Sequence, residues 1–79
     1  MKKSIDGNVM EMTPVESKNL SYVGYDEEKS ALLIEFTRGP VYIYNEVPKS
    51  TFEGLLSALS VDDFFNESIK NSFKNKRVN

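Results

Sequence analysis

The 79-residue sequence contains no cysteine and no histidine. A disulfide framework and thiolate chemistry are therefore excluded, and so is a zinc finger. A chain of this length forms one domain at most, because it buries only about 60–65% of its unfolded surface. Its core must be held by apolar packing, and the four tyrosines and five phenylalanines are the main material for it.

The sequence also lacks an excess of positive charge and a long apolar run. Ten basic residues stand against twelve acidic ones, a net charge of −2, which is not the composition of a general nucleic-acid binder. No apolar run approaches the roughly 20 residues of a membrane span, and the first ten residues are too polar for a signal-peptide core. We therefore expect a cytoplasmic protein without membrane contact.

Motifs of self-contained catalysis are missing as well. The sequence has no glycine-rich phosphate loop and no nucleophile motif. The acidic residues 26–28 and the pair Asp62 and Asp63 do not follow a calcium-loop spacing. We interpret the first group as a polar turn and the second as the start of a helix. We expect no enzyme, no metal site and no cofactor.

Three short strands are predicted at residues 20–25, 31–37 and 41–45, which are rich in aromatic and β-branched side chains. Arg38 and Gly39 form a tight turn between the last two strands, because glycine can adopt a positive φ. Large apolar residues alternate along the second strand and predict its core-facing side. These residues are Leu32, Ile34 and Phe36.

Two helices are predicted after the strands. Pro48 suits the first position of a helix, and apolar residues recur at helical spacing through residues 48–59. These apolar residues are Phe52, Leu55, Leu56 and Leu59. Ser60 and Asp63 resemble a capping box at the start of the second helix.

The predicted order defines an α+β domain. It is a three-stranded antiparallel β-meander (β-β-β-α-α) with two C-terminal helices packed on one face. Residues 1–12 are expected to form a flexible N-terminal segment, and residues 13–79 the domain.

Several motifs follow one another along this domain. They are Gly24-Tyr25-Asp26, Leu32-x-Ile34-x-Phe36, Gly39-x-x-Tyr42-x-Tyr44-x-x-Val47-Pro48, Phe52-x-x-Leu55-Leu56-x-Ala58 and Phe65-Asn66-x-x-Ile69. Together they resemble the KTSC domain over residues 12–77, and the Tyr-x-Tyr followed by Val-Pro is the specific part. The family is named after the C-terminus of some lysyl-tRNA synthetases and also occurs as a stand-alone small protein in bacteria and phages.

The resemblance implies the family's fold, and the synthetase context suggests RNA binding. The chain departs from the family pattern between the helices. The family often has a small basic Ser-x-Gly segment there, whereas this sequence continues from Ser60 to two aspartates.

Tyr42 and Tyr44 admit two interpretations. If the two rings are exposed, they form a stacking platform for bases. If they are buried, they fill the core beneath the helices. Aromatic residues at strand spacing more often pack than bind, and the KTSC resemblance implies a polar residue between the tyrosines. We therefore predict that Tyr42, Tyr44, Val47 and Pro48 are mainly structural.

If the tyrosines face inward, Leu33, Val41 and Ile43 share the opposite face of the sheet. An apolar cluster on an open face requires a cover. A second copy of the chain in a homodimer is one solution. The other is the N-terminal segment around Met10, Met12 and Val15, and both stay open.

Basic residues offer a candidate anion site. Lys70, Lys74 and Arg77 follow a helical spacing and predict one stripe on the second helix, and Arg38 lies at the hairpin tip. The alternative is that these cations are solvated, since positive charge is favoured near the end of a helix.

Two functions follow from these features. The first is a small non-catalytic binding module for RNA or a nucleotide, using Arg38, Lys70, Lys74 and Arg77. The alternative is a protein–protein interaction module that forms a homodimer through the sheet face opposite the tyrosines. The acidic balance favours the alternative, because it repels phosphate backbones.

Overall fold

The structure is a computed structural model, which describes the backbone of residues 2–5 and 8–78 and the side chains of residues 11–78. Its elements in chain order are β1 (Lys2–Ile5), β2 (Asn8–Pro14), β3 (Leu20–Asp26), β4 (Ala31–Phe36), β5 (Val41–Tyr44), α1 (Lys49–Ser57), α2 (Val61–Ser68) and β6 (Asn75–Arg77). The α+β class, with an antiparallel sheet and two helices, is confirmed. The prediction of a three-stranded sheet is wrong, because the three predicted strands, β3 to β5, form only the centre of a larger sheet.

The strands form one antiparallel sheet in the order β1-β2-β3-β4-β5-β6. The first part of β2 pairs with β1, whereas Met12–Pro14 pairs with β3. Strands β2 to β6 therefore form the continuous part of the sheet that carries the core. The segment 1–12, which we expected to be flexible, contains β1 and most of β2.

The side-chain parity of the central strands agrees with the prediction. Leu32 lies opposite Tyr44 and Ile34 opposite Tyr42, so both tyrosines share the face of Leu32 and Ile34. Residues on this face form the main core with both helices, which contribute Leu55, Val61 and Phe65 among others.

The turn between β4 and β5 (residues 37–40, the β4–β5 turn) has the predicted tight geometry. The Gly39 N–H donates to the Phe36 carbonyl at 2.9 Å, and the Phe36 N–H donates to the Pro40 carbonyl at 2.9 Å. Gly39 has φ +114°, which an L side chain rarely adopts. Arg38 is thus held at the exposed tip.

The opposite face of the sheet is not open. Leu33 and Val41 are 1% and 0% exposed, and they form a second buried cluster with Met12. Gly24 is the cross-strand partner of Met12, and a Cβ at Gly24 would lie 2.6 Å from the Met12 sulfur. The Met12 side chain therefore crosses β3 where the strand has no side chain.

This cover overturns the expected open interface of Leu33, Val41 and Ile43. Ile43 is half-buried and packs against the second cluster together with Val78. Val15, which we expected to help cover this face, packs instead against the main core. The side chain of Met10, the other residue expected here, lies outside the described side chains.

Helix α1 is shorter than the periodicity predicts. Pro48 is its N-cap residue rather than its first helical residue, and the helix ends at Ser57. Leu55 is fully buried, Leu56 is 41% exposed and Leu59 is fully exposed, because the helix stops before Leu59.

Helix α2 begins as predicted and ends earlier. The Asp63 N–H donates to the Ser60 hydroxyl at 3.3 Å, which is the expected N-cap. The last helical residue is Ser68, so the predicted helical stripe of Lys70, Lys74 and Arg77 is wrong.

The C-terminal segment pairs with β5 instead. Backbone hydrogen bonds flank β6 on both sides. The Asn45 N–H donates to the Lys74 carbonyl at 2.9 Å, and the Val78 N–H donates to the Val41 carbonyl at 2.8 Å. Pairing satisfies the edge groups of β5, which an extended helix would have left unpaired.

Candidate binding groove

A groove of about 850 Å³ lies between α2, the β4–β5 turn and the loop of residues 15–19 that joins β2 to β3. We call it the α2 groove, and the loop the β2–β3 loop. Aromatic side chains form its floor, and cations and amides form its rim. The lining residues are Lys18, Asn19, Leu20, Phe36, Thr37, Arg38, Pro40, Tyr42, Tyr44, Asp62, Phe65, Asn66, Lys70, Asn71 and Asn75.

The floor is a chain of four aromatic rings in edge-to-face contact. Phe36 meets Tyr42 with ring centroids 5.6 Å apart and Phe65 at 5.7 Å, and Phe65 meets Tyr44 at 5.8 Å. Tyr44 and Phe65 are buried, whereas Phe36 and Tyr42 are half-buried. The groove therefore exposes part of two rings that are held in place by two buried ones.

The two tyrosines of the family motif thus differ in position. Tyr44 is 4% exposed and belongs to the core, whereas Tyr42 presents part of its ring to the groove. Burial, with a smaller contribution from nearby Tyr42, raises the pKa of Tyr44 to about 12. Tyr44 is therefore neutral at physiological pH.

Among the described side chains, three cations line the α2 groove, each from a different part of the chain. Lys18 comes from the β2–β3 loop, Arg38 from the β4–β5 turn and Lys70 from the turn that follows α2. All three side chains are exposed. Sequence reasoning selected Arg38 and Lys70 but missed Lys18, which no local pattern distinguishes from an ordinary loop lysine.

The remaining predicted cations lie elsewhere. Arg77 is the cross-strand partner of Tyr42, so it lies on the groove side of the sheet without lining the groove. Lys74 precedes β6 and also does not line the groove. The structure therefore brings Arg38 and Lys70 to one site and leaves Lys74 and Arg77 outside it.

Asparagines complete the rim; those among the described side chains are Asn19, Asn66, Asn71 and Asn75. An amide side chain carries both donors and an acceptor, whereas the lysine and arginine side chains offer donors alone. Only Asn66 stood in a motif of the sequence; the others come together through tertiary structure.

Asp62, an acidic residue of the lining, binds the β2–β3 loop. Its carboxylate accepts from the Ser17 hydroxyl at 2.7 Å, the Asn19 side chain at 3.1 Å and the Lys18 N–H at 3.2 Å. These hydrogen bonds, that of Ser17 foremost, lower the pKa of Asp62. Sequence reasoning assigned Asp62 only to the start of a helix.

Other motif residues stabilise the fold away from the groove. The Tyr25 hydroxyl donates to the Val47 carbonyl at 2.5 Å, and its ring stacks on Phe52 with centroids 5.3 Å apart. Val47 is fully buried, and its N–H donates to the Ser30 carbonyl at 2.8 Å. The contacts of Tyr25 with Val47 and Phe52 thus hold β3 against the start of α1.

Metal-binding clusters and membrane-spanning helices are both absent from the part of the chain that the structure describes. Within it, no group of three or more acidic side chains is close enough to hold a metal ion. None of its helices has the length and apolar character to cross a membrane.

The fold and the groove define a class: a small α+β domain with two helices on one face of an antiparallel sheet and an aromatic groove beside the second helix. The family model of the KTSC domain matches residues 16–73. The chain belongs to the KTSC domain family, and the resemblance inferred from its motifs is confirmed.

Individual relatives agree with this assignment. The chain is 41% identical over 63 residues to a protein of Tsukamurella paurometabola, covering 80% of this chain and 94% of that protein. It is 36% identical over 61 residues to an uncharacterised protein of Stutzerimonas stutzeri, covering 77% and 86%. The crystal structure of a KTSC domain protein from Yersinia pestis matches with a TM-score of 0.83 and 32% identity, covering 89% of this chain and 99% of that one.

Proposed function

We propose that this chain is a non-catalytic binding module whose α2 groove holds a nucleotide or a short unpaired stretch of RNA. The observation that carries the proposal is the combination, in one groove, of partly exposed aromatic rings with cations and amides. Each of these groups matches one part of a nucleotide.

The aromatic floor suits the base. Stacking of a base on an aromatic side chain contributes about 1–3 kcal/mol and tolerates any base. Tyr42 and Phe36 are the rings that face the groove while remaining half-buried. Their edge-to-face contact, at 5.6 Å between centroids, fixes both rings before a ligand arrives.

The rim suits the phosphate and the edges of the base. Arginine binds a phosphate through paired N–H groups, and lysine attracts it as a point charge. Asparagine amides complement the mixed donors and acceptors of an unpaired base. Lys18, Arg38 and Lys70 surround the same groove that the four amides line.

The net charge of −2 limits the kind of ligand. A chain with more acidic than basic residues repels a long polyanion over much of its surface, so attraction depends on local groups of cations such as those that line the groove. The proposal therefore favours a ligand with few phosphates in contact. We propose the cytoplasm as the location, because nucleotides and RNA are available there.

The test is binding of a fluorescently labelled single-stranded RNA of mixed sequence, followed by anisotropy at several salt concentrations. We expect salt-dependent binding by the nucleic-acid-free protein. The double variant Arg38→Gln with Lys70→Gln should bind at least about tenfold more weakly, and each lost phosphate contact should reduce the salt slope by about 0.7. Tyr42→Leu should weaken binding by about 1–3 kcal/mol at every salt concentration.

The matched control is Lys76→Gln. Lys76 is exposed and lies opposite Ile43, so it is on the other face of the sheet. The variant removes the same charge as Lys70→Gln but should leave binding nearly unchanged. Wild-type protein that shows no salt-dependent binding, or equal losses in Lys76→Gln and Lys70→Gln, would contradict the proposal.

A further inference from the structure

Three donors from the β2–β3 loop converge on the carboxylate of Asp62 in α2. The Ser17 hydroxyl and the Asn19 side chain donate to Oδ1 at 2.7 and 3.1 Å, and the Lys18 N–H donates to Oδ2 at 3.2 Å. Ser17 in turn accepts from the N–H groups of Asn19 and Leu20 at 3.2 and 3.1 Å. One carboxylate thus holds residues 17–19 of the loop on the helix.

The contacts continue from this loop to the β4–β5 turn. The Thr37 N–H donates to the Asn19 carbonyl at 2.8 Å, and the hydroxyls of Ser21 and Thr37 lie 3.4 Å apart. Thr37 directly precedes Arg38. A path of hydrogen bonds therefore leads from α2 through the loop to the turn that carries the arginine.

We infer that Asp62 is a positioning residue of the α2 groove. It holds the β2–β3 loop, and so Lys18, against α2, and through Asn19 and Thr37 it sets the place of the Arg38 turn. The inference rests on the proposed function in that Lys18 and Arg38 are taken as ligands of a phosphate. The positioning itself is a property of the unliganded protein.

The negative charge of Asp62 makes the inference sharply testable. A carboxylate beside a phosphate site repels the ligand, so removal of its charge alone would tighten binding of an anion. A positioning residue acts in the opposite direction, because its loss lets the cations move away. Asp62→Asn keeps the shape of the side chain and separates these two effects by the sign of the change.

The binding experiment uses the same labelled RNA with Asp62→Asn, Ser17→Ala and the double variant. We expect each single variant to bind about threefold to tenfold more weakly, as for loss of a hydrogen-bonded contact. The double variant should be little worse than either, since both remove the same connection. Ser17→Ala changes no charge, so its agreement with Asp62→Asn excludes an electrostatic cause.

The matched control is Asp63→Asn. Asp63 is exposed, is the next residue of the helix and does not line the groove, so this variant removes the same charge nearby without touching the loop. It should bind as tightly as the wild type or slightly more tightly. Tighter binding by Asp62→Asn, matching Asp63→Asn, would overturn the inference.

Amide hydrogen exchange tests the positioning without a ligand. In Asp62→Asn and Ser17→Ala the Thr37 amide should exchange about tenfold faster, while the amides of β4 keep their wild-type rates. Unchanged Thr37 exchange in both variants would also overturn the inference. Wild-type protein that binds no RNA, with the Thr37 effect present, would instead reject the proposed function and support the positioning role.

Discussion

Tyr44 is the residue whose titration reports most directly on the core beneath the groove. Burial, with a smaller contribution from Tyr42, raises its pKa from 10.0 to about 12. The folded protein therefore holds the neutral phenol in a range of pH where the unfolded chain has already ionised it. By linkage, this contribution to stability is complete below pH 10 and is lost as the pH rises towards about 12.

We therefore expect the free energy of unfolding of the wild type to fall between pH 10 and about 12. Tyr44→Phe removes the ionisable group and keeps the ring, so its stability should fall less steeply over the same range. Urea unfolding at each pH, followed by circular dichroism, measures both slopes. Equal slopes in the two proteins would show that Tyr44 is not the group responsible.

At the same scale, the sequence predicted the orientation of the tyrosines but not most of the groove. Alternation along β5 separates Tyr42 and Tyr44 from Val41 and Ile43, and the resemblance to the KTSC domain favoured the tyrosines as the inward pair, which the register with β4 confirms. The contact of Asp62 with Ser17 joins residues 45 positions apart. No periodicity encodes such a contact, because it depends on how α2 packs against the sheet.

Helix α1 shows where apolar periodicity misleads. Leu55, Leu56 and Leu59 follow a helical spacing, yet only Leu55 is buried. The helix ends at Ser57, and the C-cap residue Ala58 has extended backbone angles, so the spacing no longer applies at Leu59. Helix ends are weakly encoded when, as here, neither a glycine nor a basic last turn marks the stop.

Truncation of the two leucines should change the free energy of unfolding by very different amounts. Leu55→Ala leaves a cavity in the main core and should reduce the free energy of unfolding by about 2–5 kcal/mol. Leu59→Ala should change it by less than about 0.5 kcal/mol, because the side chain is fully exposed. Urea denaturation of both variants measures the difference. Similar losses would mean that Leu59 packs as the periodicity predicted.

The last strand, β6, shows a second limit of local pattern. Lys70, Lys74 and Arg77 have a helical spacing, but the chain leaves the helix after Ser68 and forms β6 on the exposed edge of β5. The need of that edge for backbone partners is a property of the whole sheet. The pattern of charges alone therefore could not show that these residues separate.

At the scale of the whole molecule, the central strands are covered on both faces by the same chain. The helices and the main core cover one face, and Met12, Tyr22 and Val78 pack with Leu33 and Val41 on the other. A homodimer through Leu33, Val41 and Ile43 would have to displace Met12 first. In the structure, β2 of the same chain covers this face. One of our two interpretations had assigned this cover to a second copy of the chain.

This arrangement predicts a monomer whose stability depends on Met12. Met12→Ala should reduce the free energy of unfolding by about 2–5 kcal/mol, because Met12 is 1% exposed and covers Leu33 where Gly24 has no side chain.

Ile43→Lys should leave the molecular mass in sedimentation velocity unchanged, since Ile43 already packs within its own chain. A wild-type dimer that Ile43→Lys converts to a monomer, with Met12→Ala as stable as the wild type, would instead show that a second copy covers this face.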